Sequence, residues 1–288
     1  MIVAGEDLVA CAEVDAAAAQ VASGLSIRLL DGIEEHAAAR TLIQDVWRTD
    51  AGNTPVTADL LSAIRVSGGY VSGAFDAHGL AAVCLGFFGP PGERRLHSHI
   101  TGALPRTRGT GIGRALKLHQ RAWALREGAE TITWTFDPLI RRNAFFNLGK
   151  LAATVVGYLP ELYGTMDDAI NRDDVTDRAL ASWPLAHADV VAAASGRTPA
   201  LRREGFPHAV IGLHADSGGN PVLGDRDGDT VLIAIPGDIE SMRAADPGRS
   251  AAWRLAVRET LGTLLGEGAV IRGFDRDGWY IIDRTETP

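Results

Sequence analysis

The sequence predicts an α/β fold, because helix-like and strand-like segments alternate along most of its 288 residues. Two observations support this class. Hydrophobic residues make up 46% of the chain and charged residues 22%, which is the balance that a packed core beneath a polar surface requires. Apolar residues recur at helical spacing in some segments and form short runs between turn residues in others. This composition excludes a disordered chain, a collagen-like chain and a bare coiled coil.

The sequence also indicates a protein of the cytoplasm with no membrane partner. It contains no run of about 18 uncharged apolar residues, which a membrane-spanning helix would need. Acidic residues at 6–15 stand where a secretion signal would carry basic ones. Two cysteines cannot build a disulfide framework or a four-thiolate zinc site, so we expect no structural metal.

Charge is unevenly distributed along the chain. The net charge of −8 disfavours nucleic acid as a partner, because polyanions repel an acidic surface. Residues 90–150 nevertheless contain eleven Lys and Arg against four acidic residues, a net charge of +7, so the remainder carries −15. We expect this basic segment to hold a compact phosphorylated ligand.

Cap and turn residues divide the first half of the chain into a series of elements. Residues 1–24 are Ala-rich and predict a helix or a loose arm. Asp31 followed by Glu34 is similar to a capping box, and Thr57 predicts a second helix start. The expected elements are a strand at 26–30, helices at 31–47 and 57–68, strands at 70–75, 80–87 and 95–104, a helix ending near 127, a strand at 131–136 and a helix at 141–151.

A second unit is predicted in the last third of the chain, where the turns at 225–229 and 275–278 are typical of hairpins. Its expected elements are strands at 209–213, 231–235, 269–274 and 279–282 and a helix at about 250–265. We therefore expect three parts, which are an N-terminal arm at 1–24, a first domain at 25–185 and a smaller α+β domain at 186–288.

A glycine-rich loop lies between a predicted strand and a predicted helix. Gly109, Gly111 and Gly113 are spaced by single residues, so the backbone can approach a ligand while several amides point into one concavity. The helix N-terminus adds partial positive charge. The P-loop and dinucleotide-binding patterns are excluded, because Gly113 is followed by Arg114 and Ala115. The loop predicts a cradle for a diphosphate.

The loop resembles the pyrophosphate loop of the Gcn5-related N-acetyltransferase (GNAT) superfamily, through Arg-x-x-Gly-x-Gly at Arg108, Gly111 and Gly113. The stretch around Asn143 resembles the superfamily's fourth helix, where an Asn contacts the pantetheine arm. The segments LHSHITGALPRTRGTGIGRALK, TITWTFDPLIRRNAFFNLGKL and IPGDIESMRAAD resemble a bacterial branch of predicted GNAT acyltransferases. The superfamily resemblance covers roughly residues 25–165.

This resemblance implies a central mixed, mostly antiparallel sheet flanked by helices. It also implies acetyl-CoA or another acyl-CoA as co-substrate, bound by the domain at 25–185 without a metal. An amine would attack the acyl carbonyl directly. The residues expected to bind the acyl-CoA are Arg106, Arg108, Gly109, Thr110, Gly111, Ile112, Gly113, Arg114, Asn143, Phe146 and Lys150.

Two histidines are candidates for the base that such a reaction needs, because an amine with a pKa of about 10 must lose a proton before it attacks. His97 and His99 alternate with Ser98, so both imidazoles are predicted on one face of a strand. The alternative is a hydrogen-bonded pair on a half-buried strand. A metal site is less favoured, because no partner carboxylate has suitable spacing.

The acid that protonates the leaving thiol is harder to assign. Many superfamily members carry a tyrosine on the fourth helix, where this chain has Asn147 and Leu148. Either no acid is used, or Tyr158 or Tyr163 reaches in from the following segment, and Tyr163 is the preferred candidate. Its alternative role is a core aromatic at a bend.

Acceptor-binding residues are predicted by charge. Asp137 would orient a substrate ammonium, or it would cap the helix that begins after Pro138. Arg141, with Arg142 or Arg94 as alternatives, would clamp a carboxylate, unless these arginines form a solvated basic face.

The leading hypothesis is an enzyme that transfers an acyl group to the amine of a small molecule, such as an amino acid or a derivative. One alternative is a module that binds acyl-CoA without turnover, and another is a protein lysine or N-terminal acetyltransferase. Strand, loop, helix and strand recur at 231–274, and this recurrence supports a further interpretation of residues 186–288 as a degenerate GNAT-like half. That half would pack on the first domain, shape the acceptor pocket or form a homodimer contact.

Overall fold

The structure is a computed structural model that describes residues 5–49, 54–164, 174–198 and 201–284. The helices are α1 Gly5–Ser23, α2 Gly32–Trp47, α3 Ala58–Val66, α4 Ile112–Arg126, α5 Arg141–Ala144, α6 Ala188–Ala194, α7 Ile239–Ala245, α8 Pro247–Val257 and α9 Thr263–Gly266. The strands are β1 Ser26–Leu29, β2 Tyr70–Asp76, β3 Gly79–Phe88, β4 Arg95–Ala103, β5 Thr131–Phe136, β6 Thr154–Leu159, β7 Arg178–Pro184, β8 Val210–Ala215, β9 Pro221–Leu223, β10 Thr230–Ala234, β11 Val270–Asp275 and β12 Trp279–Asp283.

The predicted α/β class is confirmed by two sheets with helices. One sheet has seven strands in the order β1-β2-β3-β4-β5-β7-β6, and the other has five in the order β11-β12-β10-β8-β9. β1 to β4 pair antiparallel in succession, β4 pairs parallel with β5, and β6 pairs antiparallel with β7. The larger sheet is therefore mixed and mostly antiparallel, as expected.

The chain forms two compact units that are each discontinuous in sequence. Unit 1 comprises Met1–Trp134 with Pro184–Ser195, and unit 2 comprises Thr135–Trp183 with Gly196–Pro288. The expected domain limits at 24, 185 and 288 differ from these units and stay a prediction. Both units are built from helices and strands.

In unit 1, strands β2 to β4 are covered by helices on both faces. Leu42 and Ile43 of α2 and Leu61 of α3 pack with Val83 and Leu85 of β3 in one buried core. Helix α4 packs against β4 and β2 and is itself covered by α1. Burial of α1 at every third or fourth position explains why the Ala-rich segment is helical. The buried residues of α1 are Leu8, Ala12, Ala16 and Ala19.

The two predicted helix starts are confirmed, with one correction. Oδ1 of Asp31 accepts a hydrogen bond from Gly32 N, and Oγ1 of Thr57 accepts one from Leu60 N at 3.4 Å. The reciprocal acid is Glu35, whose Oε2 accepts from Asp31 N at 2.9 Å. The prediction of Glu34 for that role is wrong by one residue.

In unit 2, helices α5 and α8 each continue into a π-helical turn, at Phe145–Lys150 and Arg258–Gly262. The helix expected at 141–151 is therefore present but wider in its second half. In the five-stranded sheet β12 lies between β10 and β11. In the larger sheet β4 pairs directly and in parallel with β5, whereas in the smaller sheet β12 separates β10 from β11. The pair β10 and β11 therefore does not repeat the arrangement of β4 and β5 that a degenerate GNAT-like half would have.

Candidate functional site

The glycine-rich loop joins a 3₁₀ turn, Pro105–Thr107, to α4, and its backbone adopts the left-handed conformation twice. Gly109 has a φ of 82° and Gly111 a φ of 81°, values that residues with side chains rarely adopt. A Cβ atom added to either glycine would meet nothing within 4 Å. Glycine is therefore required here by backbone geometry, and the space beside the loop is open.

Five backbone N–H groups at this loop have no hydrogen-bond acceptor among the described residues. They belong to Gly109, Gly111, Ile112, Gly113 and Arg114. The last three form the first turn of α4, where N–H groups lack partners within the helix and the helix dipole adds positive charge. Such a group of donors suits an anion, and a diphosphate offers several acceptor oxygens.

The three arginines of the loop differ in what they contact. Nε of Arg106 donates to Oδ2 of Asp76 at 2.7 Å, and its Nη2 donates to the carbonyl oxygen of Leu80 at 3.1 Å. Arg114 donates to carbonyl oxygens at the C-terminal end of α6. The side chain of Arg108 is exposed and makes no hydrogen bond or ion pair with the residues that the structure describes, although its backbone N–H donates to the carbonyl oxygen of Pro105. Its charge is therefore available to a ligand, whereas the other two would have to exchange partners.

Strand β4 contains a β-bulge at His99. Gly86 of β3 pairs with Ser98, and the preceding Leu85 pairs with Ile100, so His99 has no opposite residue on β3. A bulge leaves the extra residue outside the ladder and re-aims neighbouring side chains. The peptide groups around His99 are thus available to contact something other than β3.

The parallel ladder between β4 and β5 is short. It begins with Arg95 opposite Thr131, and its last pair in the described strands is His97 with Thr133. β4 then continues to Ala103 with β3 as its partner. The two strands therefore part immediately before the bulge.

The two predicted histidines do share one face of β4. Their ring centroids are 5.9 Å apart, and Phe87 lies 5.4 Å from His97 and 5.8 Å from His99. Burial, followed by the charge of His99, lowers the pKa of His97 to about 4. Burial also lowers the pKa of His99. Both imidazoles are therefore uncharged at neutral pH, which is the form that accepts a proton.

The predicted alternative to a helix tyrosine lies on the surface of unit 2. Tyr163 is 41% exposed, and its hydroxyl oxygen is 2.9 Å from Oγ1 of Thr135 on β5. The other candidate, Tyr158, donates its hydroxyl to Oδ2 of Asp177 at 2.7 Å. Tyr163 thus has the more accessible hydroxyl group.

The predicted pantetheine-binding residues lie on α5 and its π-helical turn. Asn143, Phe146 and Lys150 are three and four residues apart, which is the spacing of one helix face. Lys150 is exposed, and its Nζ atom is 5.6 Å from the ring centroid of Phe145. Their role in binding stays a prediction.

Asp137 lies in a buried ion-pair cluster of unit 2 and not on an accessible surface. Its carboxylate accepts hydrogen bonds from Arg243 and Arg254, and Oδ1 also accepts one from Leu139 N at 2.9 Å. With 4% exposure and both oxygens engaged, it is not available to a substrate ammonium. The substrate contact expected for Asp137 is therefore corrected. The alternative, a cap for the helix after Pro138, is also wrong, because the N-cap residue of α5 is Ile140 and Asp137 instead accepts a hydrogen bond from Leu139 N in the preceding turn.

The arginines expected to clamp a carboxylate are also engaged. Nε and Nη2 of Arg141 both donate to the carbonyl oxygen of Arg276, at 3.1 and 2.5 Å. Arg142 forms an ion pair with Glu240. A substrate carboxylate would have to compete with these partners.

Lys117 of α4 lies in the region of the candidate site, and the sequence distinguishes it only as a member of the basic segment at 90–150. It is 4% exposed, and its ammonium lies within unit 1. Its immediate neighbours Leu116 and Leu118 are both buried, which places apolar surroundings on either side of it. Leucine on both sides of a lysine in a helix was the available signal.

Comparisons with known proteins give structural neighbours only, because no family model and no curated protein matches the sequence. The N-acetyltransferase from Staphylococcus aureus Mu50 is 16% identical with a TM-score of 0.47, and the match covers 56% of this chain and 98% of that one. The ribosomal-protein-S18-alanine N-acetyltransferase from Escherichia coli is 16% identical with a TM-score of 0.45, covering 57% and 96%.

The phosphinothricin acetyltransferase from Sinorhizobium meliloti, a GNAT superfamily structure in complex with AcCoA, is 15% identical with a TM-score of 0.46, covering 56% of this chain and 88% of that one. All three of these solved structures are acetyltransferases, and the one from Sinorhizobium meliloti is described as a member of the GNAT superfamily. Each spans a little more than half of the chain.

Neither a membrane-spanning helix nor a metal-binding cluster occurs among the described residues. No helix within the described residues (5–49, 54–164, 174–198 and 201–284) has both the length and the apolar composition that crossing a bilayer requires. Within the same ranges, no three His, Cys, Asp or Glu side chains are grouped so as to hold a metal ion.

Proposed function

We propose that the protein is an acyl-CoA-dependent N-acyltransferase that moves an acetyl or related acyl group to the amine of a small molecule. The observation that carries this proposal is the group of five unpaired N–H donors at the open glycine loop. The diphosphate of coenzyme A is an anion of the size that such a loop accommodates. The Arg-x-x-Gly-x-Gly pattern at Arg108, Gly111 and Gly113 supports the same assignment.

The residues of unit 1 provide further groups for this chemistry. The bulge at His99 would present an N–H group to polarise the acyl carbonyl. His97 or His99, uncharged at neutral pH, would accept the proton of the attacking amine directly or through water. When bound, the acyl-CoA supplies an activated acyl group whose carbonyl the amine attacks.

The proposed acceptor is a small amine, such as an amino acid or a derivative of one. The acidic remainder of the chain, with a net charge of −15 outside residues 90–150, favours a cationic amine as the approaching species. A protein amine is an alternative acceptor of the same chemistry and is included in the test.

Calorimetric titration with coenzyme A, followed by thiol release from acetyl-CoA, tests the proposal. We expect binding of coenzyme A and release of its thiol with at least one member of a panel of amino acids, polyamines and peptides. Binding of coenzyme A without thiol release for any amine would favour the non-catalytic module. That alternative is considered because Asn147 and Leu148 occupy the region where many superfamily members carry a tyrosine. Failure to bind coenzyme A would reject the assignment of the loop.

A further inference from the structure

A buried ammonium group lies in unit 1 without a carboxylate beside it. Nζ of Lys117 donates to Oγ of Ser98 at 2.8 Å and to Oε1 of Gln120 at 3.2 Å, and it lies 4.1 Å from the ring centroid of Trp134. None of the described Asp or Glu side chains forms an ion pair with it. Burial of an unpaired charge is costly, and two neutral acceptors and a cation–π contact offset that cost only in part.

A second polar group in the same place also lacks a partner. Nε2 of Gln120 is a buried donor with no acceptor among the residues described, and Gln120 itself is 0% exposed. The amide cannot be reversed to satisfy it, because its nitrogen would then face the ammonium of Lys117. This buried cluster of Lys117, Gln120 and Ser98 therefore contains a cation without an anion and a donor without an acceptor among the described residues.

The buried cluster lies where strands β4 and β5 part. Ser98 directly follows His97 on β4, and Trp134 directly follows Thr133 on β5, and His97 with Thr133 is the last pair of the ladder. The ammonium thus contacts the first residue beyond the ladder on each strand. The bulged residue of β4 comes next in sequence.

The same helix carries the lysine and the proposed diphosphate site. Lys117 is five residues beyond Ile112, the first residue of α4, which is about 7.5 Å along the helix axis. A ligand held by its diphosphate at the N-terminus of α4 can extend along β4 towards the point where the strands part. Lys117 therefore lies beyond the first turn of α4, whose N–H groups form the proposed diphosphate site, and next to the point where β4 and β5 part.

We propose that Lys117 stabilises and, through the hydroxyl of Ser98, protonates the thiolate that leaves acyl-CoA, an inference that rests on the proposed function. The bond between the acyl carbon and sulfur breaks with its electron pair on sulfur as the bond from the amine nitrogen forms. The hydroxyl proton of Ser98 moves to sulfur while a proton of Nζ moves to Oγ. Lys117 then regains a proton from solvent, and the proton lost by the amine leaves through the base.

The acidity of Lys117 agrees with this role. Burial lowers its pKa to about 8, close to the value of about 8.5 for a free thiol, so proton transfer between them is nearly balanced. Cys84 of β3 and His97 of β4 are the titratable groups on the neighbouring strands that interact with it. On the covering helix α1, Asp15 is directed to Arg121 at 3.8 Å.

The direct test is the acidity of the thiol of bound coenzyme A. Thiolate absorbance is followed against pH in the complex, with desulfo-coenzyme A as the blank for the protein's own cysteines. For the wild-type protein we expect the acid dissociation constant of the bound thiol to rise at least tenfold over its free value. Lys117→Met should return it to the free value while coenzyme A still binds, and Arg126→Met, which removes an exposed charge from the same helix, should leave it raised.

Two further variants separate charge from proton transfer. Lys117→Arg keeps a cation that does not give up its proton, so we expect the bound thiol to stay acidic while kcat falls at least tenfold. Ser98→Ala removes the group that passes the proton and should lower kcat without changing the KM for acyl-CoA. Lys117 and Lys150 are the two lysines of the sequence, so the titration of Lys117 can be followed by lysine-selective NMR.

The outcomes distinguish the two proposals. If the wild-type protein does not bind coenzyme A, the proposed function fails, and this inference fails with it. If coenzyme A binds and its thiol has ordinary acidity in the wild-type complex, the role of Lys117 is overturned while the proposed function stands. The wild-type titration decides this even if Lys117→Met does not fold.

Discussion

Asp137 and Arg254 form a bidentate ion pair inside unit 2, with Oδ1 2.8 Å from Nη1 and Oδ2 2.8 Å from Nη2. Arg243 donates to the same carboxylate, and Asp174 accepts hydrogen bonds from both arginines at 2.9 Å. All four side chains are at most 8% exposed. Charges this deeply buried are tolerated because each one has a partner of opposite sign.

Removal of one charge from this cluster should strongly destabilise the protein. Asp137→Asn leaves two buried guanidinium groups short of a carboxylate, and we expect the free energy of unfolding to fall by about 3–5 kcal/mol. Urea unfolding measures it. Asp227→Asn, which changes a side chain that is 94% exposed, is the matched control and should alter stability by less than about 0.5 kcal/mol. Equal effects of the two variants would contradict the importance of the cluster.

The same cluster should make the protein sensitive to acid. Burial alone would raise the pKa of Asp137, but the charges and hydrogen bonds of Arg254 and Arg243 outweigh it and hold the pKa well below its usual range. Its stabilising contribution is therefore present above the unfolded pKa of about 3.9 and is lost as pH falls through the lower folded value. Unfolding curves at several pH values should show this slope, and Asp137→Asn should reduce it.

Gly111 provides a test of the diphosphate cradle. A bulky side chain at its φ of 81° would be strained and would occupy the open space beside the amides. We expect Gly111→Val to reduce coenzyme A affinity at least a hundredfold in calorimetry. Gly68→Val is the matched control, because Gly68 has a φ of 82° and equally open surroundings but lies outside the loop. Retained affinity in Gly111→Val would reject the cradle.

Arg108 and Arg106 should contribute unequally to binding. A charge-assisted hydrogen bond is worth about 1.5–3 kcal/mol, so Arg108→Ala should weaken coenzyme A binding roughly tenfold to a hundredfold. Arg106→Ala should have a smaller effect, because Arg106 already pairs with Asp76. Dissociation constants measured at two salt concentrations check this order, since a lost phosphate contact also lowers the salt dependence. A larger effect of Arg106→Ala would show that Arg106 changes partners on binding.

The pH dependence of kcat/KM should identify the base. A base acts in its uncharged form, so activity is lost as pH falls through its pKa. If His97 is the base, the acid limb should lie near pH 4, and if His99 is the base, it should lie below the ordinary histidine pKa of about 6.5. His97→Gln and His99→Gln are compared with the wild-type profile from pH 4 to 8. A profile that neither substitution moves would remove both residues from the reaction.

Tyr163→Phe tests the alternative acid. Its hydroxyl contacts Thr135 on the surface of unit 2, so loss of that group should change stability by less than about 0.5 kcal/mol. If Tyr163 protonates the thiol, kcat should fall at least tenfold, and if Lys117 does, kcat should be unchanged. Thr135→Val removes the same hydrogen bond from the other side and controls for its structural effect.

Local features were predictable from sequence and long-range ones were not. The β4–loop–α4 unit follows from three glycines at fixed spacing, and the histidine pair follows from alternation along a strand, because each signal lies within a few residues. Asp137 could not be assigned in this way. Its arginine partners lie 106 and 117 residues away, and no local pattern distinguishes a buried, paired carboxylate from one at a substrate site.

The sequence pattern also does not predict strands β6 and β7 or helix α6. β7, with the sequence RALASWP, has small residues at several buried positions, so it lacks the β-branched run that signals a strand. The π-helical turn after α5 is a wider winding of a correctly expected helix. The burial of Lys117 depends on its contacts with Ser98 of β4 and Trp134 of β5, and beyond the two flanking leucines no local pattern specifies these long-range contacts.

The return of residues 184–195 to unit 1 affects the order in which the chain can fold during synthesis. The carbonyl oxygen of Leu185 accepts hydrogen bonds from Arg121, and Leu185 N donates one to the carbonyl oxygen of Glu130. Carbonyl oxygens at the end of α6 accept hydrogen bonds from Arg114. Residues 184–195 therefore complete a unit whose other residues precede them by about fifty positions or more. During synthesis, about fifty residues of unit 2 therefore leave the ribosome before the last segment of unit 1 is available. Those residues cannot complete their own packing until residues 196–288 have also been made. Premature termination anywhere in that interval would release two unfinished halves.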